Sequence, residues 1–587
     1  MSSATPTSTP TTPRPRRLPL AGVLRLGRPS EIWFKPALSA IAAVAPPNLA
    51  LLALGRLDLA MYTMAGSLCA LYAHNRPYAA RGRVLALVVL GMTGGLAVSL
   101  LAASLTANAV VLVTVGALLA AVQKVLCDAS RVGPPGNVVL TFISSASLFA
   151  PQSLGQVPGH LALALAAGAW AWIVGMAPGL VRPHGPERRA TAQALEAAAA
   201  YAVAAGGTAR PGAAGAATEG AGADTGTGAG AAAGAGLSRA RAATAAAVHA
   251  AWQTLLAAGA RSGSRRALER LVVRAEVALA APGDTDPERL RAWARALRGR
   301  GPVPQIDEPA ATADELLGVE AELGAGNRPL WTRLGPLTPL AVRTAAGCAL
   351  AGYASLALGV GRPYWALVTA ASLYQANLTL TWSRGVQRVV GNLVGVLVFA
   401  ALVPLAHLHQ AALVLCCLAL NFGAEALISR NYWLGSICVT PMALLITEFA
   451  RTQDAGELIT ERVLDTLIGA LVGLVAAIAV TNRRSGDRLE HALAASELAR
   501  ERAARLSAEP RVAPGALESA RRVLAGALVD LRATADAAAG EWWQRALPME
   551  RVVLAEQSGH RTLAATVRRQ GLLLDRRTSG RAEDVRS

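Results

Sequence analysis

Several charged residues of this chain sit where an apolar environment tolerates them least. Arg343 falls in LAVRTAAGCALAGY, a turn or two inside a helix-length apolar segment. A guanidinium placed there costs about 2.5–3.5 kcal/mol on insertion scales, so such a group tends to face a cavity or a partner. Arg343 is therefore the first candidate to pair the carboxylate of a passing solute; the alternative is a side chain that snorkels to cytoplasmic headgroups. Arg462 and Asp465 stand three apart in RVLDTLIG, a spacing at which two helical side chains can pair. Such a pair is either a structural clasp or, through Asp465, a proton-coupling group. Glu425 is the other intramembrane carboxylate, with Arg430 within snorkelling reach.

Arg384 and Arg388 lie in a basic loop between two apolar segments. They form either a vestibule that concentrates anions or a pair of topology markers. Tyr364 and Trp365 follow Pro363 at the outer start of a segment. As belt residues they would anchor the helix at the interface; as a stacking wall they would accept a planar ring. Gln375, Asn377 and Thr379 are spaced by two, so on a helix they share no face. Thr440 with Pro441 interrupts the helical ladder in mid-segment and frees a carbonyl. Membranes tolerate that where the backbone is buried or lines a cavity, which suits a translocation path. The candidate substrate-binding set is thus Arg343, Tyr364, Trp365, Arg384, Arg388 and Thr440, with Asp465 and Glu425 as candidate coupling groups.

Other chemistries lack their signatures. No P-loop, GxSxG or HExxH is present, so neither ATP-driven transport nor hydrolysis has its usual motif, and no enzyme activity or cofactor is expected. Six cysteines fall in or beside apolar segments without CxxC spacing and read as small buried hydrophobes, neither a disulfide framework nor a zinc site. His407 and His409, two apart at an outer loop, make a poor metal pair. The net charge of +18 is carried almost wholly by Arg, with Lys35 and Lys124 the only lysines. Nucleic acid is not the expected partner, because zinc-finger, RNP-like and basic-heptad patterns are all missing; basic residues flanking membrane segments set topology and lie against anionic lipid.

The elements that must position these groups are membrane helices. The 587 residues are 53% apolar and 16% charged, against roughly 25% charged in a soluble protein, and mean hydropathy is +0.38. Apolar windows fall near 36–54, 57–73, 84–104, 107–127, 138–152 and 160–181, and again near 337–360, 363–380, 388–406, 409–428, 431–449 and 462–481. The expected fold is an all-α integral membrane protein with two six-helix halves, 36–181 and 337–482. Segment 138–152 is short and rich in serine, and either spans or re-enters. Arg76, Arg81, Arg83, Lys124, Arg131, Arg384, Arg388 and Arg430 fall in loops of one side, whereas SLTAN, PQSLGQVPGH and AHLHQ on the other carry no Lys or Arg. That asymmetry puts both termini in the cytoplasm. Residues 1–35 read as a disordered basic start with no removable signal peptide. Regions 182–336 and 483–587 carry amphipathic helical patterns such as SRRALERLVVRAEVALA and ALESARRVLAGALVDLRATADAA and form cytoplasmic helical regions packed on each other. The Gly/Ala-rich stretch 206–236 within the first reads as a flexible insertion.

The halves resemble each other in LDLAMYTMAGSLCALY and RPYWALVTAASLYQ, each followed by a basic stretch and another apolar run. An even number of spans per half makes that a parallel repeat. RVVGNLVG (388–395) against RVLDTLIG (462–469) hints at a nested inverted one. Gly391 with Gly395, Gly469 with Gly473, and Gly91 with Gly95 are GxxxG pairs suited to close helix contact.

RPYWALVTAASL, the basic stretch after it, RVVGNLVG, ICVTPMALLITE and RVLDTLIGALVG together resemble the fusaric acid resistance or aromatic acid exporter family over about residues 340–480. The amino half resembles it only in layout and lacks the PYW triplet. The resemblance implies two membrane halves, each followed by a cytoplasmic helical region. It also implies export of small organic acids, aromatic carboxylic acids foremost, or of related toxic compounds across the cell membrane; whether the chain works alone or as a homo-oligomer stays open. A passive anion channel gated by the cytoplasmic helices and a membrane-anchored scaffold are the alternatives. Export of an anion needs no ATP, since each negative charge leaving a negative interior gains about 2.3 kcal/mol per 100 mV.

Overall fold

A computed structural model describes residues 20, 22–27, 32–208, 226–259, 262–306, 334–375, 377–449, 452–480, 485–513, 515–540 and 548–570. Most of the expected disordered start, and 209–225 of the Gly/Ala stretch, lie outside the described residues. Among the described residues the fold is all helical. The first series is α1 (Phe34–Ala53), α2 (Leu57–Leu71, with 3-10 turns at both ends), α3 (Tyr78–Leu105), α4 (Ala109–Ala129), α5 (Val138–Leu148) and α6 (Val157–Met176). An extramembrane series follows: α7 (Gly185–Thr208), α8 (Gly226–Ala257), α9 (Gly263–Ala280) and α10 (Pro287–Arg298). The second apolar series is α11 (Thr338–Ala357), α12 (Pro363–Leu373), α13 (Leu378–Ala406), α14 (Gln410–Ile428), α15 (Tyr432–Thr447) and α16 (Ala455–Ala479). Then come α17 (Ser485–Ala508), α18 (Ala516–Ala539) and α19 (Met549–Arg569). Among the described residues eight helices are long and apolar enough to cross a membrane, while α2, α5 and α15 are apolar but shorter, as is the 11-residue α12.

Three boundaries depart from the sequence reading. The expected span 363–380 ends at Leu373, and a new helix begins at Leu378, started by Asn377, whose Oδ1 accepts the Leu380 amide at 2.9 Å. That capping bond satisfies a backbone donor at the new start, so Arg384 and Arg388 lie on helix α13 rather than in a loop. α3 likewise begins at Tyr78 right after Pro77, which carries Arg81 and Arg83 onto a helix. Third, the Gly/Ala stretch from 226 onward is part of helix α8. Alanine, the best helix former, outweighs the interspersed glycines once the chain continues into the amphipathic RARAATAAAVHAAWQTLLA.

Packing follows a cross pattern. The first helix of each apolar series meets the fourth of the other, α1 on α14 and α11 on α4, and α5 touches α12. Glycines permit the closest approaches. A Cβ at Gly391 would sit 2.7 Å from the Trp433 carbonyl, and one at Gly469 2.8 Å from Thr369, which lets α13 lie on α15 and α16 on α12. Of the pair at 91 and 95 only Gly95 is a close approach, to Gln123 and Ser144, because Gly91 meets nothing nearer than Leu140 at 3.9 Å.

The two extramembrane series pack on each other around buried charges. Arg521 bridges Glu518 at 2.6 Å and Glu276 at 3.0 Å, Trp252 donates to Glu276 at 2.7 Å, and Arg522 covers the Trp252 ring at 4.1 Å. This bundle also reaches the apolar helices. The Gly540 carbonyl, at the end of α18, accepts from the Thr379 amide at 3.1 Å and its hydroxyl at 2.6 Å. The contact falls on the break between α12 and α13, one turn before Arg384.

Candidate functional site

The four short helices meet around one cavity of about 1820 Å³ between the two apolar series. Its middle is apolar, with Met64, Leu68, Phe142, Val368, Val439 and Met442 among its walls. Short segments are a physical necessity here, because a helix that stops early leaves room for side chains from its neighbours to reach the space beyond its end.

Eight Lys or Arg side chains line this space, against three carboxylates, Asp58, Asp128 and Glu425, so its electrostatics favour an anion. Two cations have carboxylate partners from that set: Arg56 pairs Asp58 at 3.1 Å and Lys124 pairs Asp128 at 3.1 Å. Arg362 forms an ion pair with Glu461 and also bonds Gln453. Among the described residues the other five have no carboxylate within 4.0 Å: Arg76 donates to the carbonyls of Ser130 and Arg131, Arg131 is exposed, and Arg384, Arg388 and Arg462 rest on aromatic rings. Arg384 lies 3.9 Å from the centroid of Tyr432, and Arg388 donates to the Tyr432 hydroxyl at 2.9 Å. Arg462 lies 5.0 Å from the Trp365 ring, which Arg362 also faces at 5.1 Å. Cation–π contact recovers part of the lost hydration but supplies no hydrogen-bond acceptor in the ring plane. Nε and Nη1 of Arg462 and Nε of Arg388 are buried without a partner, and an uncompensated buried charge costs several kcal/mol.

The aromatic pair is fully inside the protein. Trp365 has no exposed surface and Tyr364 only 7%, so neither is an interfacial anchor. Tyr364 lines the cavity, stacked on Phe149 at 5.9 Å and set edge-on to Trp365 at 5.6 Å.

Several sequence candidates stand elsewhere. Arg343 is buried, but its Nε and Nη2 donate to the Val480 carbonyl at 3.1 and 2.8 Å and it does not line the cavity. It satisfies an orphan carbonyl at the end of α16, as cations near helix C-termini do. The expected pair of Arg462 and Asp465 is not formed: Arg462 turns onto Trp365, while Asp465, also outside the lining, accepts the Ser355 hydroxyl at 2.6 Å. Thr440 lies behind the wall in a buried chain. It donates to Asn392 at 2.5 Å, Asn392 to Thr466 at 2.9 Å, and Thr466 to the Arg462 carbonyl at 2.7 Å. That chain ties α15, α13 and α16 together directly beneath Arg462. Tyr364, Arg384, Arg388 and Glu425 do line the cavity.

Sequence reading missed Tyr432 and Arg362 as wall residues and the orientation of Arg462. An arginine at the very start of an apolar window, directly after Glu461, was the signal for Arg462, and it did not reveal where the side chain turns. Tyr432, at the first position of a helix after Asn431, carried none.

Residues 349–476 match the family model described as Fusaric acid resistance protein-like, a stretch that includes Tyr364, Trp365, Arg384, Arg388, Tyr432 and Arg462. A 137-residue part of the chain is 31% identical to the uncharacterized membrane protein YvaC of Bacillus subtilis (strain 168), covering 23% of this chain and 22% of that protein. The chain therefore matches about a fifth of that relative's length. No solved structure matches the chain. Residues 349–476, which supply Arg384, Arg388 and Arg462 to the cavity, are thus the part of this membrane protein that is similar to the fusaric acid resistance protein-like family.

Proposed function

We propose that the protein exports small organic acids, aromatic carboxylates foremost, from the cytoplasm through the cavity between its two six-helix halves. The observation that carries this reading is the set of three guanidinium groups, on Arg384, Arg388 and Arg462, that face an anion-favouring space without a carboxylate and rest on Tyr432 and Trp365. A carboxylate bound there supplies the acceptors that the orphaned Nε and Nη1 atoms lack, and its ring stacks against Tyr364 and Phe149. The cross pattern of α1 on α14 and α11 on α4 supports two halves of the same orientation. Loop charges support a cell-membrane protein with both termini in the cytoplasm, so the basic mouth of the cavity draws anions from inside. Membrane potential drives them outward, and Glu425, the cavity carboxylate of α14, is the group placed to couple a proton.

The test is efflux of a panel of labelled aromatic and aliphatic acids from proteoliposomes at set potentials and pH. Potential-driven, saturable efflux that prefers aromatic acids is the expected result. Efflux no faster than in empty liposomes across the panel rejects the reading. A reversal potential that moves with pH assigns proton coupling to the path, and one that follows the anion gradient alone assigns a channel.

A further inference from the structure

A short stretch ahead of α1 lies against the second apolar series, far from it in sequence. The backbone of residues 22–27 runs across the ends of α13 and α15. Gln387 donates through Nε2 to the Val23 carbonyl at 2.9 Å, and Asn431 donates to the carbonyls of Val23 at 3.1 Å and Arg25 at 3.0 Å. Trp433 donates from its indole nitrogen to the Leu24 carbonyl at 3.2 Å, and the Gly27 amide donates to the Arg430 carbonyl at 2.9 Å. Five hydrogen bonds therefore hold six residues that have no regular secondary structure of their own beyond a turn.

The side chains that hold this strap belong to the cavity. Gln387 and Asn431 both line it, next in sequence to Arg388 and Tyr432, and so does Ser429 beside Arg430. Val23 is 8% exposed, pressed inward, while Leu24 and Leu26 are 40% and 59% exposed. The contact at Gly27 is specific to a residue without a side chain, since a Cβ there would stand 2.9 Å from the Arg430 carbonyl oxygen. Backbone carbonyls of the strap occupy polar donors at the rim that would otherwise face an entering anion, and they present oxygen lone pairs, which repel one.

We propose that residues 22–27 form an autoinhibitory strap over the mouth of the cavity on the side of Arg384 and Arg388, and that the rim of Gln387, Arg430, Asn431 and Trp433 is its docking surface. In the docked state the strap takes the amides of Gln387 and Asn431 and narrows access to Arg388; undocked, it frees both. The proposal rests on the transport reading for its consequence and on the five hydrogen bonds for its existence. Separate measurements address the two.

The first measurement reads access without transport. Val439→Cys, in mid-cavity, is placed in a chain whose natural cysteines are replaced by serine, and its labelling by a membrane-impermeant thiol reagent is followed in membrane vesicles open to that mouth. Deleting residues 1–27 should speed labelling by about tenfold or more, since a mouth closed nine-tenths of the time reacts at about a tenth of the open rate. Gly27→Val and Trp433→Phe, which disturb the strap while the chain stays whole, should each give a smaller acceleration in the same direction. The second measurement is efflux of labelled benzoate by the same variants, which should rise in parallel. Unchanged labelling in the deletion and in both point variants overturns the strap, and so does a rise in efflux without a rise in labelling. Faster labelling with no efflux from any form leaves the strap standing and rejects the transport reading.

Discussion

The two apolar series place cations in one cavity by similar means and treat them differently. In the amino-terminal series Arg56 and Lys124 have carboxylates beside them, Arg76 donates to the carbonyls of Ser130 and Arg131 at 3.2 and 2.5 Å, and Arg131 is exposed; Arg81, outside the lining, bonds the lining residue His74 at 3.1 Å. Its buried polar chain is neutral, running from Asn137 to Thr141 at 3.2 Å, Thr141 to Gln123 at 3.0 Å and Gln123 to Ser144 at 2.8 Å. The second series has a matching chain through Thr440, Asn392 and Thr466, but above it sit Arg388 and Arg462 without a carboxylate. The guanidinium nitrogens of the cavity lining that are buried without a partner, Nε of Arg388 and Nε and Nη1 of Arg462, belong to the second series. A fold keeps an incomplete buried charge only where something else completes it, and under the proposed function a visiting anion takes that part.

The largest expected difference follows from removing one charge from each wall. Arg462→Gln should lower efflux about a hundredfold, equivalent to losing a charge-assisted pair worth about 3 kcal/mol, whereas Lys124→Gln should change it by less than about twofold, since its salt bridge is partly exposed. Equal losses in both variants would erase the contrast between the walls. Arg388→Lys should cost about tenfold in half-saturation with little change in maximal rate, because lysine keeps the charge and loses the planar fork shared between Tyr432 and an anion. Full activity there would reassign Arg388 to topology.

A third expectation concerns a base in the polar helical bundle. His560 on α19 is half-buried near Arg241 and Arg532, and burial, with those cations, pushes it down to about 4. Its value in the fold lies below that of the unfolded chain, so the stability contributed by the neutral form is complete above about pH 6.5 and is lost as pH falls toward 4. At pH 5 the loss should approach about 2 kcal/mol, and His560→Leu should flatten the dependence of thermal unfolding on pH between 7 and 5. An unaltered slope in that variant would assign the acid sensitivity to another group.

The smallest effect concerns Arg343. Arg343→Gln should lower thermal stability by about 1–2 kcal/mol, the worth of its bonds to the Val480 carbonyl, and leave half-saturation for benzoate as it was. A rise of tenfold or more in half-saturation would return Arg343 to the path.

Much of this was legible in the chain and some was not. Long apolar runs fix helices through a strong, redundant signal, which is why α1, α4, α11 and α14 fall close to their expected windows. The breaks were less legible. Asn377 reads as a polar residue within an apolar span until its side chain is seen capping the next helix, and the apolar run on both sides hides the interruption at 374–377. Arg343, a turn or two inside its apolar window, and Arg462, at the start of its own, both read as arginines entering a membrane helix. What separates them is tertiary, a free carbonyl at Val480 for one and the face of Trp365 for the other. The cavity cations Arg384 and Arg388 were legible as basic residues between two apolar runs, although the sequence reading put them in a loop and the helix that carries them was hidden. The docking of the stretch at 22–27 spans some 400 positions in sequence, and no local pattern encodes it.

The central claim is that an organic anion binds where Arg388 and Arg462 face the cavity without a carboxylate. Its most direct measurement is equilibrium binding of 4-fluorobenzoate to the purified protein, followed by fluorine NMR line broadening and titration. The account predicts saturable binding that vanishes in the Arg388→Gln, Arg462→Gln double variant and persists in Arg56→Gln, Lys124→Gln. Saturable binding that survives the first double variant and is lost in the second would contradict it.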